Sequence, residues 1–373
     1  MEYKFDCHWF TGYKPCKFKR SCSGCSEYLA PEKRIAIVSL EAMGAVLRST
    51  CLLPPLKHKY PTAHITWITY ANAIPLLKDN PYIDRLLSLS HQSLALVQYL
   101  EFDLVLGVDK SLEAGSLVEH MKAKEKLGFG LNTYGAIRPL NKEASYQYDV
   151  GLDDNLKFYQ NQKPETQQLT ESMCLSWERD PYVLQFNETE KREIVRRRQE
   201  IVGSHKGVIG YNTGCSLLYP NKKLTIERSI ELVKAWRTKF PDYCVALLGG
   251  KEDLERNRQI FDAFENDPMV VNTPTDQGLR SGMMWVDCCD LVFSGCSLGM
   301  HIAIALKKKV IAWFGVSCSQ EIDLYDRGAK IQADVACSPC WKKDCSNEPM
   351  CYDRVSVDAV VQATAELFEY KLE

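Results

Sequence analysis

Apolar residues along this chain fall into short unbroken runs, separated by polar stretches with helical spacing. An unbroken apolar run suits a strand buried on both faces, and alternation of such runs with helices predicts a parallel sheet. The first run, Arg34 to Leu40, leads into a helix from Gly44 to Leu53. His64 to Thr69 predicts a second strand, Ala73 to Lys78 a helix, Ile83 to Leu87 a short strand and Leu104 to Val108 another. Between Pro139 and Gln185 the periodicity fades into polar residues, as in loops and helices near a domain junction. Asn187 to Ile201 is a charged helix, after which the alternation resumes. Strands are predicted at Val208 to Asn212, Cys244 to Leu248, Val270 to Val271, from Leu291 and at Val310 to Phe314. Helices are predicted from Ile226 to Lys239, Asp253 to Phe264 and Leu279 to Cys288. A last amphipathic helix, Val357 to Tyr370, is expected to pack back across the junction. The fold class is therefore α/β, with two Rossmann-like domains whose parallel sheets face a central cleft. The expected division is a cysteine-rich segment 1–30, an N-terminal domain 31–185, a C-terminal domain 206–352 and a closing helix 353–373.

Within the second series, Gly295-Cys296-Ser297-Leu298-Gly299-Met300-His301 follows an apolar strand and precedes the small-residue run Ile302 to Leu306. That order predicts a strand-to-helix turn whose free N–H groups and partial positive charge suit a diphosphate. His301 adds a hydrogen-bond donor if it faces the ligand; the alternative is a tight turn with a buried histidine.

The chain has 373 residues, 45% of them hydrophobic, enough for two well-filled cores. With 46 Lys and Arg against 48 Asp and Glu, the net charge of −2 argues against a nucleic-acid partner. No apolar run is long enough for a membrane span, and Met1 to Lys4 lacks a secretory apolar core, so a cytoplasmic protein is expected. The basic run Lys17-Phe18-Lys19-Arg20 leaves open a peripheral membrane contact.

Sixteen cysteines in a reducing compartment are better read as metal ligands, small hydrophobes or reactive thiols than as disulfides. Cys7, Cys16, Cys22 and Cys25 stand in a segment poor in aliphatic residues, where a tetrahedral thiolate site would hold the fold. Zinc is the first expectation there, and iron or an iron–sulfur cluster the second. Cys337, Cys340, Cys345 and Cys351 form a second group with ligand-like spacing.

Four stretches together resemble glycosyltransferase family 9, the lipopolysaccharide heptosyltransferase family: Ser39 to Arg48, Asn212 to Lys223, Gly249-Gly250 with Glu252, and Ser297 to His301. The resemblance runs from Arg34 onward and implies the two-domain GT-B fold. It also implies transfer of a sugar, by default a heptose, from a nucleoside diphosphate to a saccharide or glycolipid hydroxyl with inversion, without a cofactor. The cysteine stretch at Cys337 resembles one found in this family where no metal is required. By the same resemblance Lys222 contacts the diphosphate, Thr213 and Gly214 line its loop, Glu252 meets the ribose, and Ser297, Leu298, Gly299, Met300 and His301 cradle the phosphates.

Two departures matter. By the resemblance, the aspartate that serves the family as general base falls on Ala45, and Cys296 and Leu298 replace an aspartate and a glycine often found in the phosphate turn. Glu41 is then the candidate base, since the reaction needs a carboxylate near the acceptor hydroxyl rather than a fixed sequence offset. Besides an active transferase, the chain suits a catalytically silent binding or assembly relative, or a metal-dependent redox or sensor protein built around Cys7 to Cys25.

Overall fold

The computed structural model describes residues 2–203 and 205–369. It divides into two compact units. The first contains the chain up to Asp149 together with Gln167–Asp180; the second contains Val150–Thr166 and the chain from Pro181 onward. The boundary therefore differs from the expected 31–185, because residues 150–166 pack with the second unit. Gln320 Nε2 donates to the Lys157 carbonyl at 3.2 Å, and Lys157 lies 3.7 Å from Glu321.

In the first unit the strands are β1 (Arg34–Val38), β2 (His64–Thr69), β3 (Arg85–Ser88), β4 (Glu101–Gly107), β5 (Lys122–Leu131) and β6 (Ile137–Pro139). Their order is β3-β2-β1-β4-β5-β6, parallel except for β6, which runs antiparallel to β5. Ile35, Ala36, Ile37 and Val38 are wholly buried, as two-sided cover requires. The apolar pattern misses β5 because its first half is Lys-Ala-Lys-Glu-Lys. β6 pairs only with residues 129–131, which leaves that charged half at the sheet margin, where charge discourages edge-to-edge pairing. Helices His91–Tyr99 and Leu112–His120 also escape the pattern, yet Ser90 and Ser111 cap their first turns.

The second unit holds β7 (Gly207–Asn212), β8 (Tyr243–Leu248), β9 (Val270–Asn272), β10 (Leu291–Gly295), β11 (Lys309–Phe314) and β12 (Gly328–Gln332), all parallel in the order β12-β11-β10-β7-β8-β9. Tyr211, Trp236 and Phe293 form its aromatic centre, with ring centres 5.4 to 6.0 Å apart. The final helix, Val357–Phe368, packs within this unit, where it is expected to return across the junction. Trp236 Nε1 donates to Thr364 Oγ1 at 3.0 Å, so the helix closes over the aromatic centre. The expected end at Tyr370 lies outside the described residues.

Numbered within its own unit, each sheet has the order 3-2-1-4-5-6. Strand order reverses between β1 and β4 in one and between β7 and β10 in the other, and crevices form at the carboxyl ends of such strand pairs.

Candidate functional site: two strand-reversal points

At the reversal point of the second sheet, β7 ends in Asn212 and β10 in Gly295. Asn212 Nδ2 lies 2.9 Å from the Gly214 carbonyl, 3.0 Å from Ser294 Oγ and 3.1 Å from Ser297 Oγ. One amide thus ties the turn after β7 to the turn after β10. Gly299 is required beside it, since a Cβ there would fall 2.5 Å from the Asn212 side chain. Ser297 stands at the N-cap position of helix Leu298–Ala305 without a capping side-chain bond, and the helix's first N–H groups carry no intrahelical partner.

The Lys222 loop joins this turn. A Cβ on Gly295 would lie 2.1 Å from the Lys222 carbonyl, so two of the sequence-predicted elements meet backbone to backbone. Lys222 Nζ lies 4.7 Å from the Tyr219 ring centre and 4.3 Å from that of Trp341.

Other expected donor residues take different parts. Thr213 is buried and its hydroxyl bonds the Leu248 carbonyl and Asn257, so it braces the loop rather than lining it. Met300 is fully buried. His301 turns inward onto Tyr182, with Nδ1 3.3 Å from the phenol oxygen, which is the buried-histidine alternative. Burial leaves the side chains of Met300 and His301 unable to cradle a phosphate, a correction to the expected set. Leu298 and Gly299 stay half-buried at the helix start, and Glu252 is exposed beside Gly250.

Three supporting residues were missed. Asp253 is buried behind the loop, accepts from Gly250 N at 2.9 Å, and sits where a Cβ on Gly214 would lie 1.8 Å from its Oδ2. Burial raises its pKa. Arg256 donates to the Thr213 carbonyl at 3.2 Å, to Ser229 Oγ at 3.0 Å and to the Leu224 carbonyl, which joins both ends of the Thr213–Leu224 loop. Asn257 completes the set. Their spacing of three and four residues along one helical face was the available signal.

At the reversal point of the first sheet, the turn after β1 is held by Asp109, which follows β4. Its carboxylate accepts from Glu41 N at 3.1 Å, from Ser39 Oγ at 3.3 Å and from Leu40 N. Burial raises the Asp109 pKa to about 6, against those hydrogen bonds, which act to lower it. Glu41 itself is exposed, and Ala45 lies in helix Met43–Ser49. Asp109 was also missed, because nothing local marks it as facing the β1 turn.

All sixteen cysteines are free thiols. Cys7, Cys16, Cys22 and Cys25 line one pocket with Trp9, Phe10 and Phe18. Among the described residues, however, no group of three or more His, Cys, Asp or Glu side chains is set to hold a metal ion. The arrangement therefore gives the expected zinc or iron site no support, and other contacts are made within the segment. Tyr3, Phe5 and Phe10 pack ring on ring, and Tyr28 donates to Asp6 at 2.6 Å. His8 Nε2 meets Asp84 at 2.6 Å. In the basic run, Lys17 stands 3.3 Å over the Trp9 ring and Arg20 6.0 Å from Phe18, so these two cations are engaged with aromatic rings. Among the described residues no helix is long and apolar enough to cross a membrane.

The sequence profile of glycosyltransferase family 9 (heptosyltransferase) matches residues 92–351. Lipopolysaccharide heptosyltransferase 1 of Campylobacter coli is 21% identical over 354 residues, covering 90% of this chain and 99% of the relative. A family 9 glycosyl transferase from Veillonella parvula superposes with a TM-score of 0.66 at 17% identity, covering 91% of this chain and 98% of that one. The E. coli ADP-heptose heptosyltransferase II gives 0.66 at 18% identity, covering 90% and 98%. An E. coli heptosyltransferase solved with ADP gives 0.61 at 13%, covering 90% and 99%. These structures share the paired Rossmann-like GT-B architecture, and with the profile spanning well over half of its length, the chain belongs to glycosyltransferase family 9.

Proposed function

We propose that the protein transfers a sugar, in the family a heptose, from a nucleoside diphosphate to a saccharide or glycolipid hydroxyl with inversion at the anomeric carbon. The acceptor oxygen forms the new bond to that carbon as the bond to the diphosphate oxygen breaks. Glu41 takes the acceptor proton, and the departing diphosphate is met by Lys222 and the N–H groups that open helix Leu298–Ala305. The observation that carries this reading is the junction of Lys222, Gly295 and Asn212 at the reversal point of the second sheet. The donors of the relatives, ADP-heptose above all, set the order of substrates to try.

The purified protein is incubated with ADP-, UDP-, GDP- and CDP-sugars and nucleotide release is followed. Turnover with one donor, lost on Glu41→Gln while binding of ADP persists, is the expected result. A general base accounts for about a hundred- to ten-thousand-fold of rate. Unchanged turnover in Glu41→Gln would remove Glu41 from the reaction. A second reading, a silent binding relative, follows from the family resemblance, which puts the family's aspartate at the position of Ala45. Nucleotide binding without turnover of any donor or acceptor would establish that one instead.

A further inference from the structure

The second cysteine group, residues 337–351, plays no part in the reading above, yet it lies against the Lys222 loop. Asn221 Nδ2 donates to the Lys343 carbonyl at 3.5 Å, and the Cys351 thiol faces the Asn221 carbonyl at 3.9 Å. Cys351 also packs on Gly315, where a Cβ would come within 2.7 Å of its sulfur. Inside the loop, Asn347 reaches the sulfurs of Cys337 and Cys345 at 3.4 and 3.5 Å. From this mount projects Trp341, with φ at +49°, a backbone conformation rare for a bulky side chain. Two hydrogen bonds hold it there: the N–H groups of Cys340 and Trp341 both donate to the Val316 carbonyl, at 3.1 and 2.9 Å. A strained residue that its surroundings over-determine invites a functional reason.

The reason lies in what the ring faces. Trp341 meets Tyr219 edge to face at 5.6 Å, and the Lys222 ammonium is attracted to both rings. Lys157 Nζ also lies 4.5 Å from the Trp341 ring centre but has Glu321 as a carboxylate partner. Lysine carries its charge on a long flexible stem, and freedom lost in advance is not lost again when a ligand arrives.

We propose that Trp341 is a positioning residue for Lys222: with Tyr219 it restrains the ammonium, and the cysteine-rich loop 337–351 is the mount that fixes the ring. This rests on the reading that Lys222 meets the leaving diphosphate.

The test is a calorimetric titration with ADP of the full chain and of Trp341→Leu, Trp341→Phe, Lys222→Ala and the Trp341→Leu, Lys222→Ala double variant. Melting curves confirm that each is folded. Trp341→Leu, which stays apolar but loses the ring, weakens ADP binding by about three- to tenfold, and Trp341→Phe restores most of it. In the Lys222→Ala background the Trp341→Leu change has no further effect, since the interaction it removes is already gone. Equal losses for Leu and Phe, or an undiminished loss in the Lys222→Ala background, overturn the proposal. Failure of Trp341→Leu to fold, with Trp341→Phe binding ADP as weakly as Lys222→Ala, also overturns it. A Lys222→Ala protein that binds ADP as tightly as the unaltered chain overturns the reading beneath it, and this one with it.

Discussion

Asn212 Nδ2 lies 3.1 Å from Ser297 Oγ, a contact that ties the carboxyl end of β7 to the start of the helix following β10. The two residues are 85 apart in sequence, and their meeting turns two ordinary loops into one site. Asn212→Ala removes this bond together with those to Gly214 and Ser294. The expected cost is about 1–3 kcal/mol of stability, with roughly tenfold weaker ADP binding. Denaturant unfolding and calorimetry measure the two; a change in stability alone would make Asn212 a purely structural tie.

Gly295→Ala drives a methyl group into the Lys222 carbonyl, a backbone atom that has no rotamer with which to move aside. The loop must shift, at a cost of about 1–3 kcal/mol. ADP binding weakens as Lys222 is displaced. Gly282→Ala is the control: it lies in helix Gly278–Asp287 with nothing within 4 Å of its Cβ, and stabilises the protein by about 0.5–1 kcal/mol. Thermal melting of the two variants should move in opposite directions.

Asp109 couples the β1 turn to pH. Its pKa in the folded chain, about 6, lies above the ordinary value of 3.8, so the folded state binds this proton more tightly than the unfolded state does. Stability from this group is therefore fully present below about pH 4 and is lost as pH rises through about 6, by roughly 3 kcal/mol at most. Asp109→Asn keeps the shape and removes the titration. The difference in melting temperature between unaltered protein and variant should shift in favour of the variant between pH 4 and 7. A constant difference across that range would show that Asp109 does not titrate there.

Arg256→Ala leaves the Thr213, Leu224 and Thr225 carbonyls and the Ser229 hydroxyl without this cation. A loss of about 1.5–3 kcal/mol is expected, because hydrogen bonds from a charged donor are the stronger kind. Arg256→Lys recovers only part of it, since a single ammonium does not reproduce the fork. Hydrogen exchange at residues 213–225 should quicken in Arg256→Ala more than in strand β8.

The alternation of apolar runs with helical stretches was enough to determine two parallel sheets and most of their strands, because a strand covered on both faces is built mainly of apolar residues. His64–Thr69 and Ile226–Lys239 fall on their predicted bounds. The turn at Gly295 was legible for a related reason: the approach of one backbone to another demands glycine, and glycine is visible in sequence, whereas the motifs at Asn212 and Lys222 entered only through the family resemblance. What the pattern missed depends on partners far along the chain. The charged half of β5 is a strand only because β4 pairs with it. Asp109 becomes the brace of the Glu41 turn, Asp253 the backing of Gly214, and Trp341 the neighbour of Lys222 only when distant strands and loops are brought together. His301 looked like a ligand by position, but the side of the helix it occupies is settled by Tyr182, more than a hundred residues earlier. Local periodicity dictates most of the strands and helices; which side chains face one another is decided by how those segments pack, and chemistry depends on that facing.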